Sequence, residues 1–264
     1  MASSPRTPKL KTSWTVINGL PMHARLSINS ELESRPAVVL VHGLVVSSRY
    51  MLPVAERLAA YYRVYVPDLP GFGKSAKPPR VLDVTELSDS LYAWMRVSGL
   101  ESAALIGNSM GCQVITHLAV RHPKRVEWVV LQGPTMDPRG RTVLRQVARF
   151  LVNTPREPFS FVPIMLLDYL ATGTSRAWRT FRYALQDHIE ERLPQVQVPA
   201  LVVRGSRDPI VPQGWAEEAA RLLPKGRIAV VSGSAHVANF DAPSEFGRVI
   251  RAFLDKEQKS GNGT

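Results

Sequence analysis

The chain has 264 residues, 45% of them hydrophobic and 21% charged, with a formal net charge of +11 at pH 7. That length and balance suit one large domain with an ample core and exclude a disordered or fibrous chain. The single cysteine, Cys112, excludes an internal disulfide; no apolar run approaches the roughly 18 residues of a membrane span, and the polar, basic stretch before Trp14 lacks the apolar centre of a signal peptide. A soluble, cytoplasmic protein is expected. Its basic residues are scattered, and no nucleic-acid reading module appears, so no nucleic-acid partner is expected. A general positive field remains, able to draw in anionic substrates or surfaces.

Residues 14–17 and 20–28 read as a hairpin about Asn18-Gly19, a dipeptide that favours the turn matching strand twist. Residues 38–41 form an unbroken apolar run, the pattern of a strand buried on both faces. A helix is expected over 52–62, a strand over 64–66, and a helix opened by an Asp83/Glu86 capping box and closed near Gly99. Residues 103–106 and 126–131 read as further buried strands. After Gly133 the pattern changes to helical stretches, 142–152, 161–171 and 175–188, punctuated by prolines. No strand-like run fits there. This gives a core of residues 1–133 and 195–264, with a helical lid, 134–194, inserted between two strands. The sheet resumes at 200–204, Val211 is expected to begin a helix, 227–231 is the last strand, and 242–254 the closing helix. The tail from residue 256 is polar and expected to be disordered.

The richest segment is Gly107-Asn108-Ser109-Met110-Gly111, between an apolar run and a helical stretch. Strand, G-x-S-x-G, helix is the context of a nucleophile elbow. The turn is so tight that side chains two residues either side of the serine would collide, so glycine is needed at both places. A serine hydroxyl needs a base, and the base an orienting acid. Asp208 lies just past the strand at 200–204, and His236 on the loop after the strand at 227–231. Chemistry collects at the carboxyl ends of strands in open α/β sheets, so the three side chains converge on one edge. Residues 38–41 run into His42-Gly43-Leu44, and the amides of Leu44 and Met110 are the candidate oxyanion donors, with Gly43 freeing the backbone to aim them.

These pieces, with Asp68-Leu69-Pro70-Gly71-Phe72-Gly73-Lys74-Ser75, Gly205-Ser206-Arg207-Asp208-Pro209-Ile210-Val211-Pro212 and Ala235-His236, resemble the α/β-hydrolase fold family in its compact, lidded branch. The resemblance spans nearly the whole chain. It implies an α/β fold, a mostly parallel sheet with an N-terminal antiparallel hairpin and helices on both faces. It also implies a nucleophile at Ser109, an acid at Asp208, a base at His236 and no cofactor. Family members that open epoxides or displace halide carry aspartate at the elbow, so Ser109 argues against both. The Gly-Asn-Ser-Met-Gly elbow resembles that of carbon–carbon bond hydrolases, but this chain has Leu44-Val45-Val46 where those commonly have a glycine-rich loop, and Val237 where they place tryptophan. Hydrolysis of a small-molecule carboxylic ester or thioester is therefore preferred. The alternatives are carbon–carbon hydrolysis and a non-enzymatic receptor on the same fold, which would have no need of Asp208.

Val45, Met136, Phe161, Met165, Trp178 and Val237 are candidate substrate contacts, with Phe150, Phe159 and Phe181 beside them. Asn108 is read as filling the elbow or, alternatively, as hydrogen-bonding near the nucleophile through its amide, Cys112 as a small buried hydrophobe, and His42 as a structural residue behind the oxyanion loop. No set of Cys, His and carboxylates has zinc-ligand spacing, so no metal is expected. Arg141, Arg145 and Arg149 form one stripe on a lid helix, read as a solvated face or, more sharply, as a gate for anionic substrates. Monomer and homodimer are both left open.

Overall fold

The computed structural model describes residues 10–27 and 32–261. Eight strands form one sheet in the order β1-β2-β4-β3-β5-β6-β7-β8: β1 (Lys11–Ile17), β2 (Leu20–Leu26), β3 (Ala37–Val41), β4 (Arg63–Pro67), β5 (Ala103–Asn108), β6 (Val126–Gln132), β7 (Ala200–Gly205) and β8 (Gly226–Val231). The hairpin β1–β2 and the β2–β4 pair are antiparallel, and every other pair is parallel. The expected hairpin turn holds, with Asn18 at φ 51° and Gly19 at φ 79°. Residue 28, the expected end of that hairpin, lies outside the described residues.

Two cores sandwich the sheet, and alternation along each strand divides its side chains between them. Val39, Val41, Leu105, Leu131 and Val202 join one cluster, covered by α2 (Val84–Val97), α3 (Met110–Arg121) and α8 (Gln213–Leu222). Val38, Leu40, Ile106, Val130 and Val203 join the other, covered by α1 (Leu52–Leu58) and α10 (Pro243–Gly261). Both faces of β3 are fully buried, which is why its sequence shows no polar alternation. Each such Leu or Val contributes roughly 1.5–3 kcal/mol by leaving water.

Helix α2 opens on the expected box: Asp83 Oδ1 accepts from the Glu86 amide at 2.9 Å, and Glu86 Oε2 accepts from the Asp83 amide at 3.0 Å. Between β6 and β7 the chain forms α4 (Val143–Asn153), α5 (Phe161–Thr172), α6 (Thr174–Gln186) and α7 (Ile189–Arg192). Among the described residues no strand interrupts them, as expected.

Several boundaries differ from expectation. Helix α1 stops at Leu58 rather than residue 62, and α6 stops at Gln186. Helix α8 begins at Gln213, because Pro212 is extended and the Val211 amide is taken by Asp208. A short helix, α9 (Ala238–Asp241), had no sequence signal. Helix α10 continues to Gly261, through much of the stretch expected to be disordered; residues 262–264 lie outside the described residues.

Candidate active site

Ser109 joins β5 to α3 with φ 55° and ψ −122°. A non-glycine residue there is strained, and the surroundings enforce it. A Cβ on Gly107 would sit 2.5 Å from the carbonyl carbon of Gly111, and one on Gly111 2.4 Å from the Val41 carbonyl oxygen. Both glycines serve close approach, as read from the sequence, while the unusual torsions fall on the serine itself. The Ser109 amide donates to the Gln132 carbonyl (3.0 Å), and its carbonyl accepts from the Cys112 amide (2.9 Å). Met110 follows as the first residue of α3, where an amide has no intrahelical partner.

Asp208 and His236 meet as expected. The His236 Nδ1 lies 2.7 Å from Asp208 Oδ2, and both residues are buried. The other carboxylate oxygen, Oδ1, accepts from the amides of Ile210 (2.8 Å) and Val211 (3.1 Å), which fixes its rotamer. With the carboxylate accepting, Nδ1 carries the proton and Nε2 is left as an acceptor. The two loops are pressed together by glycines. A Cβ on Gly205 would lie 2.0 Å from the Ala235 carbonyl, and one on Gly133 2.9 Å from His236 Cε1. Burial pushes the His236 imidazole down, but the charge and hydrogen bond of Asp208, with Glu157 beyond, outweigh it and hold the pKa above the ordinary 6.5.

A polar bracket ties this pair to the elbow. Asn108 Nδ2 donates to the His236 carbonyl (3.2 Å) and Gln132 Nε2 to the same oxygen (3.0 Å). Tyr50 donates its hydroxyl to Asn108 Oδ1 (2.6 Å) and accepts from the Gly43 amide (3.0 Å). The residue before Ser109 therefore holds the backbone of His236 in place. The Asn108 amide thus hydrogen-bonds beside the elbow as well as filling it. Cys112 closes the underside, its thiol donating to the carbonyls of Gly107 (3.2 Å) and Gln132 (3.3 Å). Burial pushes that thiol well up, so it is not an ionised group.

The loop after β3 supplies the other wall. A Cβ on Gly43 would lie 3.1 Å from Ser109 Cβ, a tight contact that glycine relieves. The left-handed torsion falls on Val45, at φ 52°, rather than on Gly43. For a β-branched residue this is a strained turn, of order 1–3 kcal/mol. Behind it, His42 Nε2 accepts from the Leu69 amide (2.9 Å), so Nδ1 must carry the proton and donate to the Gly43 carbonyl (2.8 Å). Burial pushes His42 down, in keeping with a neutral clip. Asp68 anchors the next loop, accepting from the amides of Ser48 (2.6 Å) and Lys74 (2.9 Å) and pairing with His23 Nδ1 (2.7 Å).

These walls enclose a cavity of about 540 Å³. Ser109, His236, Leu44 and Met110 line it, and so do all six candidate contacts: Val45, Met136, Phe161, Met165, Trp178 and Val237. Phe150 and Phe181 join them, whereas Phe159 is 94% exposed and takes no part. Among the described residues no lysine or arginine lines the cavity.

The arginine stripe is only in part the solvated face expected: Arg145 is exposed, while Arg141 and Arg149 are half-buried. Arg141 lies before α4 and donates to His188 and Glu190; Arg145 donates to the Arg139 carbonyl. Arg149 bridges Asp137 (2.7 Å) and the Ile210 carbonyl (3.3 Å). Arg141 and Arg149 fasten α4, and none of the three lines the cavity. Ligand atoms of His188, Glu190 and Glu191 lie within 4.8 Å of one another, but the Arg141 guanidinium already occupies two of them, outside the cavity.

Four supporting residues escaped the sequence reading. Gln132 and Arg204 carried a signal: each is a polar residue at the carboxyl end of a buried strand. The buried Arg204 guanidinium donates to the carbonyls of Asp208 (2.8 Å) and Val211 (2.7 Å), so it shapes the loop that carries Asp208. Tyr50 and Glu157 carried none. Glu157 Oε1 accepts from the His236 amide (2.9 Å) across 79 residues.

No helix among the described residues is long and apolar enough to cross a membrane. An abhydrolase domain-containing protein of Caenorhabditis elegans, abhd-5.2, is 34% identical over 126 residues, 43% of this chain and 28% of that protein. The dihydrolipoyllysine-residue acetyltransferase component of the acetoin cleaving system of Pseudomonas putida is 28% identical over 243 residues, 85% of this chain. The chain spans 65% of that relative's length and thus falls short of two thirds of either protein. The crystal structure of a membrane phospholipase A, a bacterial virulence factor, superposes with a TM-score of 0.82 at 23% identity, covering 95% of this chain and 87% of the other. That likeness is one of fold. The model of the alpha/beta hydrolase family matches residues 38–249, from the strand before His42 to beyond His236, and the chain belongs to that family.

Proposed function

We propose that the chain is a serine hydrolase that cleaves a neutral carboxylic ester or thioester through an acyl-enzyme. The observation that carries this reading is the His236–Asp208 pair tied by Asn108 and Gln132 to the strained elbow at Ser109, on the floor of an apolar cavity. His236 Nε2 takes the proton of Ser109, whose oxygen attacks the acyl carbonyl. The amides of Leu44 and Met110 face the developing oxyanion. Asp208 holds the imidazole tautomer and stabilises the imidazolium. The alcohol or thiol leaves with the proton from His236, and water activated by the same nitrogen releases the acid. Residues 134–194 serve as a lid over this floor. A cavity that, among the described residues, no lysine or arginine lines favours an uncharged acyl group over the carboxylates of a ring-cleavage product. The acetyltransferase relative is in keeping with acyl chemistry.

Ser109→Ala is expected to lower kcat for p-nitrophenyl butyrate by about a thousandfold or more with an unchanged thermal midpoint. A fluorophosphonate should label wild type at Ser109 and leave the variant untouched. Undiminished turnover by the variant would end this reading; rapid labelling with no turnover of any ester or thioester would favour a receptor.

A further inference from the structure

Helix α4 faces the wrong way for water. Gln146 and Asn153 are buried, while Leu144, Val147, Phe150 and Leu151 are 79%, 43%, 46% and 65% exposed. Helix α5 is inverted in part: it buries Asp168 and Thr172 along with Phe161, while Leu166, Leu167 and Leu170 are 54%, 55% and 65% exposed. The inward polar groups fix these orientations. Gln146 donates to the Gly140 carbonyl (2.9 Å), Asn153 to Glu157 (2.7 Å), and Ser47 to Asp168 (2.7 Å). Among the described residues, thirteen of the nineteen exposed large hydrophobics fall between 143 and 178, so the chain gathers its bare apolar surface on one segment.

Two further observations say what covers it. Val147, Phe150, Leu166, Tyr169 and Trp178 are both exposed and part of the cavity wall, so the apolar surface runs without a break into the cavity mouth. The charge around it has one sign. Residues 143–182 contain six arginines, no lysine and two acids, Glu157 and Asp168. Asp168 is buried against Ser47, and Glu157 is turned to the His236 amide. Arg145, Arg179 and Arg182 are exposed, with no exposed carboxylate in that span.

We propose that the outer faces of α4 and α5 dock on the surface of an anionic phospholipid bilayer, with the cavity mouth at the headgroup–acyl boundary. Exposed leucine and aromatic side chains enter the boundary, and the arginines meet lipid phosphates. A second copy of the chain is the poorer occupant. A two-fold contact through this face would set like arginines against one another with no carboxylate to receive them. The surface is independent of which bond is cleaved within.

The test is flotation of the whole protein with large unilamellar vesicles of phosphatidylcholine, with and without phosphatidylglycerol. The protein is expected to float with the anionic vesicles, more weakly with the neutral ones, and to release as salt rises. Leu144 and Leu167 do not line the cavity, and Leu144→Ser with Leu167→Ser should weaken the partition by about tenfold or more. Arg179→Glu with Arg182→Glu should lose about tenfold on anionic vesicles and little on neutral ones. Circular dichroism and the thermal midpoint should be unchanged in both. No flotation, or flotation indifferent to both pairs of substitutions, would overturn the proposal. So would a dimer in sedimentation that the leucine pair dissociates, since the face would then belong to a second copy.

Discussion

His236 sits in opposing fields. Burial disfavours its imidazolium, the Asp208 carboxylate 2.7 Å from Nδ1 favours it, and the balance lies above 6.5. As the proposed base it works only when neutral, so kcat/KM should rise with pH along a limb centred above 6.5. Asp208→Asn removes the raising influence and leaves burial, so the limb should move to lower pH while kcat falls by about 10³–10⁴-fold. A pH profile of both proteins on p-nitrophenyl butyrate checks this; an unmoved limb would mean that the carboxylate does not set the base. The sequence disclosed these two residues because each lies on a loop just past the carboxyl end of a strand, β7 for Asp208 and β8 for His236. It hid Tyr50 and Glu157, whose partners Asn108 and His236 lie 58 and 79 residues away and whose surroundings have no local pattern.

Among elements, the loop after β4 does the most joining. Asp68 links the segment at Ser48, the turn at Lys74 and β2 through His23. Burial pushes its carboxyl up, but the hydrogen bond from His23, the nearby imidazole of His42 and the two amides prevail and hold it at about 2, against an ordinary 3.8. A depressed carboxylate stabilises the fold above its unfolded pKa, and that stability is lost as pH falls through the folded one. About 2 kcal/mol should therefore disappear between about pH 4 and pH 2. Urea unfolding across that window should show the slope in wild type and a shallower one in Asp68→Asn. Gly73 shares this constraint, since a Cβ there would lie 2.4 Å from the Asp68 carboxylate. The capping box of α2 was legible because its two bonds are local. The facing of α4 and α5 was not. Periodicity gives α4 a stripe without saying which way it points, and α5 is apolar on nearly every side, so its facing is set by tertiary bonds such as Ser47 to Asp168.

Across the whole molecule, the mostly parallel sheet could be read because its central strands are buried on both faces and so lose polar alternation. Topology then delivered Ser109, Asp208 and His236 to one edge, as any open α/β sheet does with the residues that follow its strands. Helix ends proved harder, since packing and loop bonds move them: Val211 serves Asp208 instead of starting α8. The one sulfhydryl of the chain, Cys112, lies fully enclosed beneath the elbow and gives both of its bonds to main-chain oxygens there. A maleimide can reach it only when that turn comes apart, so each modified molecule records one such event. If the turn yields only with the entire fold, the modification rate should climb with urea along the same m-value as global unfolding. A flatter climb, read by mass spectrometry, would show that the serine's own seat loosens before the rest.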